Sequence, residues 1–298
     1  MRIRHFRTCA GFIRILILAI FISGCFSDNK QNVSDISPKT IRIGTYNVQD
    51  LFDEFDDPAL FDGPPAKPEK LEALAEIILK FDCDILALQE VENIEFLERF
   101  NSEYLNGKYS EVILEEGSDP RGIDVAILSD LPILSRKSFS DRILKSDSEK
   151  VLFPRKVLAV NFISPDNEIW TFITVHLKAG PDFKSCESRI SEARAIAEIC
   201  RDEGYVNFFG KGRVILAGDL NSEPSSEAVR ILKGVPFSDP ARDLPQRATH
   251  KSGKTFDYIL LSPDADYEYI VGSIEIFHYS LSKKASDHFP VTCEINFR

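Results

Sequence analysis

Short apolar segments recur along this chain from residue 41 to its end, and each has the length of one β-strand. The nine segments lie at residues 41–48, 84–91, 109–116, 122–129, 156–163, 168–177, 213–218, 255–262 and 289–297. Apolar residues at helical spacing predict helices between them, at residues 67–81, 93–105 and 188–200. The segments alternate partly as strand and helix and partly as meanders. This order favours an α/β fold in which two sheets pack face to face with helices outside.

The composition supports one folded domain. The chain has 298 residues, of which 43% are hydrophobic, so it can bury a substantial core. No internal repeat, low-complexity tract or second type of composition interrupts it. We therefore predict a single domain over residues 40–298, and we expect a monomer.

The first 24 residues have the composition of a secretory signal rather than that of the domain. They contain four arginines and no acidic residue, and the apolar run IRILILAIFI at 13–22 leads into small residues. The run is too short to span a bilayer comfortably, since a membrane helix needs roughly 18 or more apolar residues. A signal peptide is therefore predicted at residues 1–24.

The residues ISGC at 22–25 resemble the lipobox of bacterial lipoproteins, where an aliphatic and two small residues precede an acylated cysteine. The resemblance implies cleavage before Cys25 and a diacylglycerol group on its sulfur. The protein would then be extracytoplasmic, held at the outer membrane or cell surface through this lipid only. Residues 25–39 have the polar, aperiodic composition of a tether. The alternative is an ordinary signal peptide with an incidental cysteine.

The net charge counts against tight binding of duplex nucleic acid. The whole chain has a net charge of −11; without residues 1–24, 32 basic residues face 47 acidic ones and the net charge is −15. Such a surface repels nucleic acid and anionic membranes at long range. Hydrolysis of phosphodiesters is not excluded, because a bound metal supplies positive charge where the reaction needs it.

The cysteines of the domain do not predict a disulfide framework. Cys293 alternates with apolar residues in the last predicted strand, which favours a buried thiol. Cys186 and Cys200 flank a predicted helix of about 21 Å, whereas a disulfide joins Cα atoms about 6 Å apart. Whether these cysteines or Cys83 form disulfides stays open, although an extracytoplasmic location permits them.

Polar residues gather at the ends of the predicted strands, as in AGDLNSEP at 217–224 after the apolar run RVIL. The set comprises Asn47, Glu90, His176, Asp219, Asn221, Asp257, Asp287 and His288. Each residue alone has a simple structural interpretation, such as a turn, a helix cap or an edge histidine. Strand ends in α/β folds are, however, also the places where functional residues collect.

As a group, these residues have the chemistry of a metal site beside a phosphate. Carboxylate and amide oxygens are the ligands that Mg²⁺ and Mn²⁺ prefer, and histidines with acid partners suit acid–base catalysis. Four carboxylates in one cleft would repel each other strongly without a cation. The sequence has no convincing serine or cysteine nucleophile motif, which agrees with direct attack by water.

Seven ordered motifs resemble those of the endonuclease/exonuclease/phosphatase family, which includes the deoxyribonuclease I-like enzymes. They are TYNVQDLFD, LALQEVEN, RGIDVAIL, TVHLKAG, AGDLNSEP, FDYILLS and SDHFPV. The resemblance runs from about residue 41 to the C-terminus, and the ordered set is far more specific than any one motif. It implies a four-layered α/β/β/α sandwich of two mainly antiparallel sheets and a metal-dependent phosphoesterase activity.

The resemblance assigns a metal site and a water site. Glu90 would be the principal ligand of Mg²⁺ or Mn²⁺, assisted by Asn47 and Asp287. Asp219 and Asn221 match the pair that orients the attacking water or the phosphate and helps to hold the metal. The implied reaction is in-line attack of water on phosphorus, without a covalent intermediate.

The resemblance also assigns two histidines. Asp257 matches the acid that hydrogen-bonds the last histidine, His288, and this pair would act as general base or stabilise phosphate charge. His176 matches the histidine proposed to protonate the leaving group in the deoxyribonuclease and sphingomyelinase branches.

The resemblance assigns three further residues to the cleft. Arg155 matches a phosphate-contacting arginine, and Arg121 would reach phosphate as well. Asp124 lies where the family often has an acid that supports the His176 side of the cleft.

The substrate is less constrained than the reaction. A nuclease or nucleotide phosphodiesterase is favoured over cleavage of phospholipid or sphingomyelin and over hydrolysis of small phosphoesters. His176 separates the chain from the apurinic-site endonucleases, which usually have Tyr in that region. Glu92 stands where pancreatic-type deoxyribonucleases place an arginine that enters the minor groove. The single Trp170 lies in a predicted strand, unlike the exposed aromatic hairpin expected of a sphingomyelinase.

A non-enzymatic alternative is that the protein is a surface-binding lipoprotein with an inactive site. Such a protein should have lost some of the eight strand-end residues, and none of them is lost.

Overall fold

Two β-sheets lie face to face in the computed structural model, which describes residues 40–55, 60, 63–164, 167–207, 212–278 and 282–297. The predicted signal peptide, the tether and Cys25 lie outside the described residues. The described strands are β1 (Thr40–Leu51), β2 (Ile85–Val91), β3 (Glu111–Leu114), β4 (Asp124–Ser129), β5 (Ile133–Ile143), β6 (Lys150–Ile163), β7 (Ile169–His176), β8 (Arg213–Asp219), β9 (Asp257–Leu261), β10 (Glu275–Ile276) and β11 (Val291–Asn296).

Each sheet contains one parallel pair among antiparallel neighbours. Over the described residues, the first sheet has the strand order β10–β11–β1–β2–β4–β3 and the second has the order β5–β6–β7–β8–β9. The parallel pairs are β1–β2 and β7–β8. Both sheets are therefore mainly antiparallel, as predicted, and each parallel pair brings two carboxyl strand ends to one edge.

Helices cover the outer faces of both sheets. The described α-helices are α1 (Pro68–Phe81), α2 (Ile94–Glu103), α3 (Phe183–Asp202), α4 (Glu227–Lys233), α5 (Pro263–Glu268) and α6 (Ser282–Ala285), and one 3₁₀ turn spans Pro240–Asp243. Helices α1 and α2 pack on the first sheet, while α3 and α4 pack on the second. The predicted four-layered α/β/β/α sandwich is confirmed.

The central layer of the core lies between the sheets. Trp170 is fully buried there and packs against Phe162 and Phe297, with ring centroids 6.2 and 5.2 Å away. Burial of one such side chain contributes roughly 1.5–3 kcal/mol, so this layer holds the two sheets together. Trp170 is consequently no membrane-contacting aromatic.

Side-chain caps set where several helices begin. The Asn93 side chain accepts the Phe96 N–H at 2.7 Å at the start of α2, and the Asp182 side chain accepts the Ser185 N–H at 3.0 Å at the start of α3. Because Asp182 caps α3, this helix begins at Phe183 rather than at the predicted residue 188. Among the described residues, no helix is both long and apolar enough to cross a bilayer.

The sequence missed strand β5 and the first part of β6. Most side chains of β5 are exposed because it lies at the edge of its sheet, so it lacks the apolar pattern from which strands are recognised. The four cysteines of the described residues are free thiols, and Cys293 is buried as expected. Cys186 and Cys200 both lie within α3.

Candidate active site

The strand-end residues meet where the two sheets share a rim. In the second sheet, His176, Asp219 and Asp257 are register partners on three adjacent strands, β7, β8 and β9. Across from them, Asn47 lies on β1 of the first sheet and donates through Nδ2 to Asp219 Oδ2 at 3.0 Å. The two sheets are thus joined by a direct contact between predicted site residues.

A break in the β1–β2 register places Glu90 in this site. The regular pairing of β1 with β2 shifts after Asn47, and the residues there take left-handed backbone angles: φ is 53° at Gln49, 50° at Asp50 and 66° at Glu90. Such conformations cost of order 1–3 kcal/mol per residue and concentrate at functional sites. They direct the Glu90 carboxylate to Asn47 Nδ2 at 3.2 Å and to Asp50 N at 3.0 Å.

Asp219 is buried at the centre of the cluster. Its Oδ1 accepts the Asn221 N–H at 2.7 Å, and its Oδ2 accepts from the side chains of Asn47 and Asn221. Asn221 also takes a left-handed φ of 46° and donates through Nδ2 to Leu177 O at 3.1 Å. Burial, followed by the nearby Asp257 carboxylate, raises the pKa of Asp219 above its usual range.

Asp257 and His288 form a buried pair. His288 Nδ1 lies 2.8 Å from Asp257 Oδ2, and the imidazole is only 7% exposed. Burial alone would lower the pKa of His288, but the Asp257 carboxylate, helped by Asp219 and Asp287, outweighs burial and raises that pKa to about 10. His288 is therefore positively charged at neutral pH.

His176 is buried to a similar degree but has no such partner. Neither of its ring nitrogens makes a hydrogen bond within the part of the chain that the structure describes. Its Nε2 lies 3.6 Å from Asp219 Oδ2 and 3.8 Å from Glu90 Oε1. Burial, and then the positive charge of Arg155, lowers the pKa of His176 well below its usual value. His176 is neutral at neutral pH.

The Arg155 guanidinium is buried against the backbone at the end of β7. Its guanidinium donates to Asp119 Oδ2 at 2.6 Å, to His176 O at 3.1 Å and to Leu177 O at 3.0 Å, and the side chain is 2% exposed. In the structure, Arg155 therefore supports the end of β7. Its contact with phosphate stays a prediction.

Asp124 and Arg121, the other two residues assigned to the cleft, differ in their exposure. Asp124 is buried, accepts the Gly117 N–H at 2.8 Å and does not hydrogen-bond His176. Arg121 is 41% exposed along its side chain and lies 3.6 Å from Asp50 and 3.7 Å from Asp119. Of the two, Arg121 is the residue that faces solvent beside the acidic cluster.

The donor set fits a hard divalent cation. Burial, and then Asp50, raises the pKa of Glu90, and burial also raises that of Asp219; both carboxylates accept a hydrogen bond from the same Asn47 amide. Asp257 Oδ1 is buried without a hydrogen-bond partner in the described structure. Oxygen atoms in such a cluster are the ligands that Mg²⁺ and Mn²⁺ prefer. Asp287 joins the group from the side of Gln49, whose Oε1 accepts the Asp287 N–H at 2.9 Å.

Several site residues carried no signal in the sequence. Lys70 donates to the backbone carbonyls of Gln49 and Asp50 and so supports the strained segment from α1. His250 lies 3.3 Å from Asp287. Both residues come from segments without strand-end polar motifs, so only the folded structure brings them to the site.

A buried acidic cluster with two histidines, at the rim of an α/β/β/α sandwich, defines a phosphoesterase of the hydrolase class. The model of the endonuclease/exonuclease/phosphatase family matches residues 44–288. The chain belongs to this family, whose enzymes are hydrolases and are generally dependent on divalent metals. A search of curated proteins gives no match.

Solved structures share this fold at low sequence identity. The catalytic domain of human Nocturnin, with a bound sulfate anion, is 17% identical with a TM-score of 0.64, over 87% of this chain and 95% of that one. The 3′ phosphatase NExo from Neisseria, bound to a product DNA hairpin, is 19% identical with a TM-score of 0.60, over 86% and 100%. A conserved protein of unknown function from Enterococcus faecalis is 21% identical with a TM-score of 0.63, over 87% and 100%.

Proposed function

We propose that this chain is a divalent-metal-dependent phosphodiesterase that uses Mg²⁺ or Mn²⁺ and acts on a nucleic acid or a nucleotide. The observation that carries the proposal is the bridge from the Asn47 amide to both Glu90 and Asp219, beside one positively charged and one neutral histidine. This arrangement offers oxygen ligands, a proton acceptor and a fixed positive charge within one cleft.

Glu90 and Asp287 would hold the cation, with the Asn47 oxygen as a further ligand. Asn47 Oδ1 accepts the Gln49 N–H at 2.9 Å and keeps a second lone pair for a metal. A cation bound there stabilises the negative charge that develops on the phosphoryl oxygens.

Asp219 would accept the proton of the attacking water. Its raised pKa makes the carboxylate a stronger base, and its hydrogen bonds from Asn47 and Asn221 fix its orientation. His288 is unsuited to this role because it already carries its proton at neutral pH. We therefore favour charge stabilisation over general-base catalysis for the Asp257–His288 pair.

His176 would contact the leaving-group oxygen as a neutral imidazole and donate a hydrogen bond to it. The lowered pKa of His176 disfavours a role as a positively charged general acid. The Glu90 and Asp219 carboxylates beside it would strengthen its N–H as a hydrogen-bond donor while negative charge leaves the cleft. Arg155 would position the His176 strand end, Arg121 would contact phosphate, and Asp124 would hold its loop.

Nucleic acid or nucleotide is the favoured substrate class. The related fold of NExo holds a product DNA hairpin, which supports a nucleic-acid substrate in this family. The net charge of −15 on residues 25–298 favours a short or single-stranded substrate over duplex DNA. For the N-terminus, we propose that Cys25 is acylated and that the protein is an extracytoplasmic lipoprotein. A Cys25→Ala protein that stays membrane-bound would contradict this proposal.

The reaction is tested by release of p-nitrophenol from bis-p-nitrophenyl phosphate with Mg²⁺ or Mn²⁺. We expect the wild-type protein to be active, His288→Ala to lose most activity, and His278→Ala, outside the site, to keep it. Equal rates for the wild-type and His288→Ala proteins contradict the proposal. The same pair assayed on plasmid DNA, RNA, nucleotides and sphingomyelin then identifies the substrate class.

A further inference from the structure

We propose that His250 is a positioning residue that orients the Asp287 carboxylate toward the cation through a hydrogen bond from Nε2–H. The inference rests on the proposed metal site and adds a residue to it. His250 lies in the loop between the 3₁₀ turn and β9, and its Nε2 is 3.3 Å from Asp287 Oδ2.

Backbone contacts hold this loop against the Asp287 segment. His250 and His288 form an antiparallel bridge, with Lys251 N donating to Asp287 O at 2.9 Å and Phe289 N donating to Thr249 O at 2.7 Å. The distance between the His250 side chain and Asp287 is therefore set by main-chain pairing rather than by chance surface contact.

The Asp287 carboxylate depends on His250 for its orientation. It is 35% exposed, and among the described residues it accepts a hydrogen bond from His250 only. The His288 Nε2 atom is 4.0 Å from Asp287 Oδ1, beyond hydrogen-bond distance. Without His250, the carboxylate can rotate into solvent, and a ligand that rotates binds a metal less tightly.

The position of the His250 proton follows from its other nitrogen. The Ser252 backbone N–H donates to His250 Nδ1 at 3.0 Å, and the Ser252 hydroxyl lies 2.7 Å from the same atom. A backbone N–H can only donate, so Nδ1 is the acceptor and carries no proton. The neutral ring therefore bears its proton on Nε2, which points at Asp287.

The same tautomer excludes His250 as a metal ligand. One ligand atom each from His250, Asp287 and His288 lies within 4.8 Å of the others, a spacing that could otherwise indicate a separate metal site. A cation on Nε2 would require the proton to move to Nδ1, where the Ser252 N–H already points. The cluster is thus a hydrogen-bonded support for Asp287, and the metal belongs on the other side of the carboxylate.

The aromatic rings around His250 allow the effect of its hydrogen-bond donor to be separated from the effect of its packing. His250 packs edge-on against His288, with ring centroids 4.8 Å apart, and lies 5.5 Å from the Phe256 ring. His250→Phe keeps an aromatic ring there and removes the donor. His250→Gln removes the ring but places an amide N–H near the position of Nε2.

The test is calorimetric titration of the full-length protein with Mn²⁺. We expect His250→Phe to bind Mn²⁺ about 10- to 100-fold more weakly, as found when groups that orient metal ligands are removed. We expect His250→Gln to bind nearly as tightly as the wild type. At saturating Mn²⁺, His250→Phe should recover most of the wild-type rate on bis-p-nitrophenyl phosphate, because the residue acts through metal binding.

Wild-type affinity in His250→Phe overturns the inference, and so does an equal loss in His250→Gln. If His250→Phe does not fold, His250→Asn replaces it, because its shorter amide cannot reach Asp287 and should weaken binding as well. Asp287→Ala separates the two proposals. Unchanged Mn²⁺ binding in Asp287→Ala overturns the metal site itself, whereas weakened binding there with unchanged binding in His250→Phe overturns only the role of His250.

Discussion

The two sides of the cleft differ in the charge of their histidines: one imidazole is positively charged and the other is neutral. His288 and His176 are both buried, with 7% and 4% of their surface exposed. His288 faces the Asp257 carboxylate at 2.8 Å and is positively charged at neutral pH. His176 is backed by the Arg155 guanidinium, which binds the His176 carbonyl, and is neutral.

The comparison shows that burial alone does not set the protonation of a histidine. Burial lowers the pKa of both imidazoles; the hydrogen-bonded Asp257 carboxylate outweighs burial at His288, whereas the Arg155 charge adds to burial at His176. One cleft consequently has a fixed positive charge on the β9 side and a neutral donor on the β7 side. That division suits a reaction in which negative charge develops at phosphorus and then leaves on one oxygen.

The largest effect is expected from Asp257→Asn, which removes the carboxylate that keeps His288 positively charged. Without the Asp257 carboxylate, His288 loses the largest of the interactions that outweigh burial, and its pKa falls from about 10. The positive charge, present below about pH 10 in the wild type, is then lost at a lower pH, and the rate on bis-p-nitrophenyl phosphate at pH 8 should fall about 10²- to 10³-fold, as when one group that stabilises transition-state charge is removed. The exposed Asp266→Asn is the control, and an unchanged pH profile in Asp257→Asn would contradict the comparison.

The side of the cleft that holds the neutral His176 is tested by measuring the free energy of unfolding of an Arg155→Met variant. This change leaves the Asp119 carboxylate buried without its partner at 2.6 Å, and loss of one member of a buried ion pair costs about 3–5 kcal/mol. Urea unfolding measures the loss. The double variant Arg155→Met, Asp119→Asn should recover much of it, because no unpaired charge remains; a double variant no more stable than the single one would be evidence against this account.

A smaller effect is expected from Glu192, which supports the same side. Its carboxylate accepts the Lys178 N–H at 2.9 Å, and burial raises its pKa to about 7. Because this folded-state pKa lies above the unfolded value, the folded protein binds an extra proton, and its stability falls as the pH rises from about 4.5 to about 7. Glu192→Gln removes this dependence and should gain a few kcal/mol relative to the wild type between pH 5 and pH 8, since each pKa unit is worth about 1.4 kcal/mol. Parallel stability–pH curves for the two proteins would refute the expectation.

The smallest effect is expected from Asp124→Asn. The sequence resemblance gives Asp124 a role in supporting His176, yet its carboxylate contacts Gly117 N instead. An asparagine keeps that acceptor, so the rate on bis-p-nitrophenyl phosphate should stay close to that of the wild type. Loss of activity comparable to that of Asp257→Asn would show that the neutral side also needs a carboxylate.

Most of the fold could be predicted because its signals are local. Apolar runs marked the strands that pack on both faces, while the exposed edge strand β5 carried no such pattern and was missed. Most of the site residues were also visible, since Asp219 and Asn221 follow a buried strand directly. The left-handed backbone at Gln49, Asp50 and Glu90 was not visible, because such angles are uncommon for Gln and Glu and are adopted by only a small fraction of Asp residues.

The sequence by itself determined the layered fold, the eight polar residues at strand ends and the reaction class that their chemistry allows. Tertiary structure alone decided which carboxylate faces which histidine, and therefore which imidazole is charged. It also placed Arg155 on the backbone carbonyls at the end of β7 and brought His250 to Asp287. The physical reason is that hydrophobic periodicity acts over neighbouring residues, whereas pKa values and hydrogen-bond orientation depend on distances of a few ångströms between residues far apart in the chain.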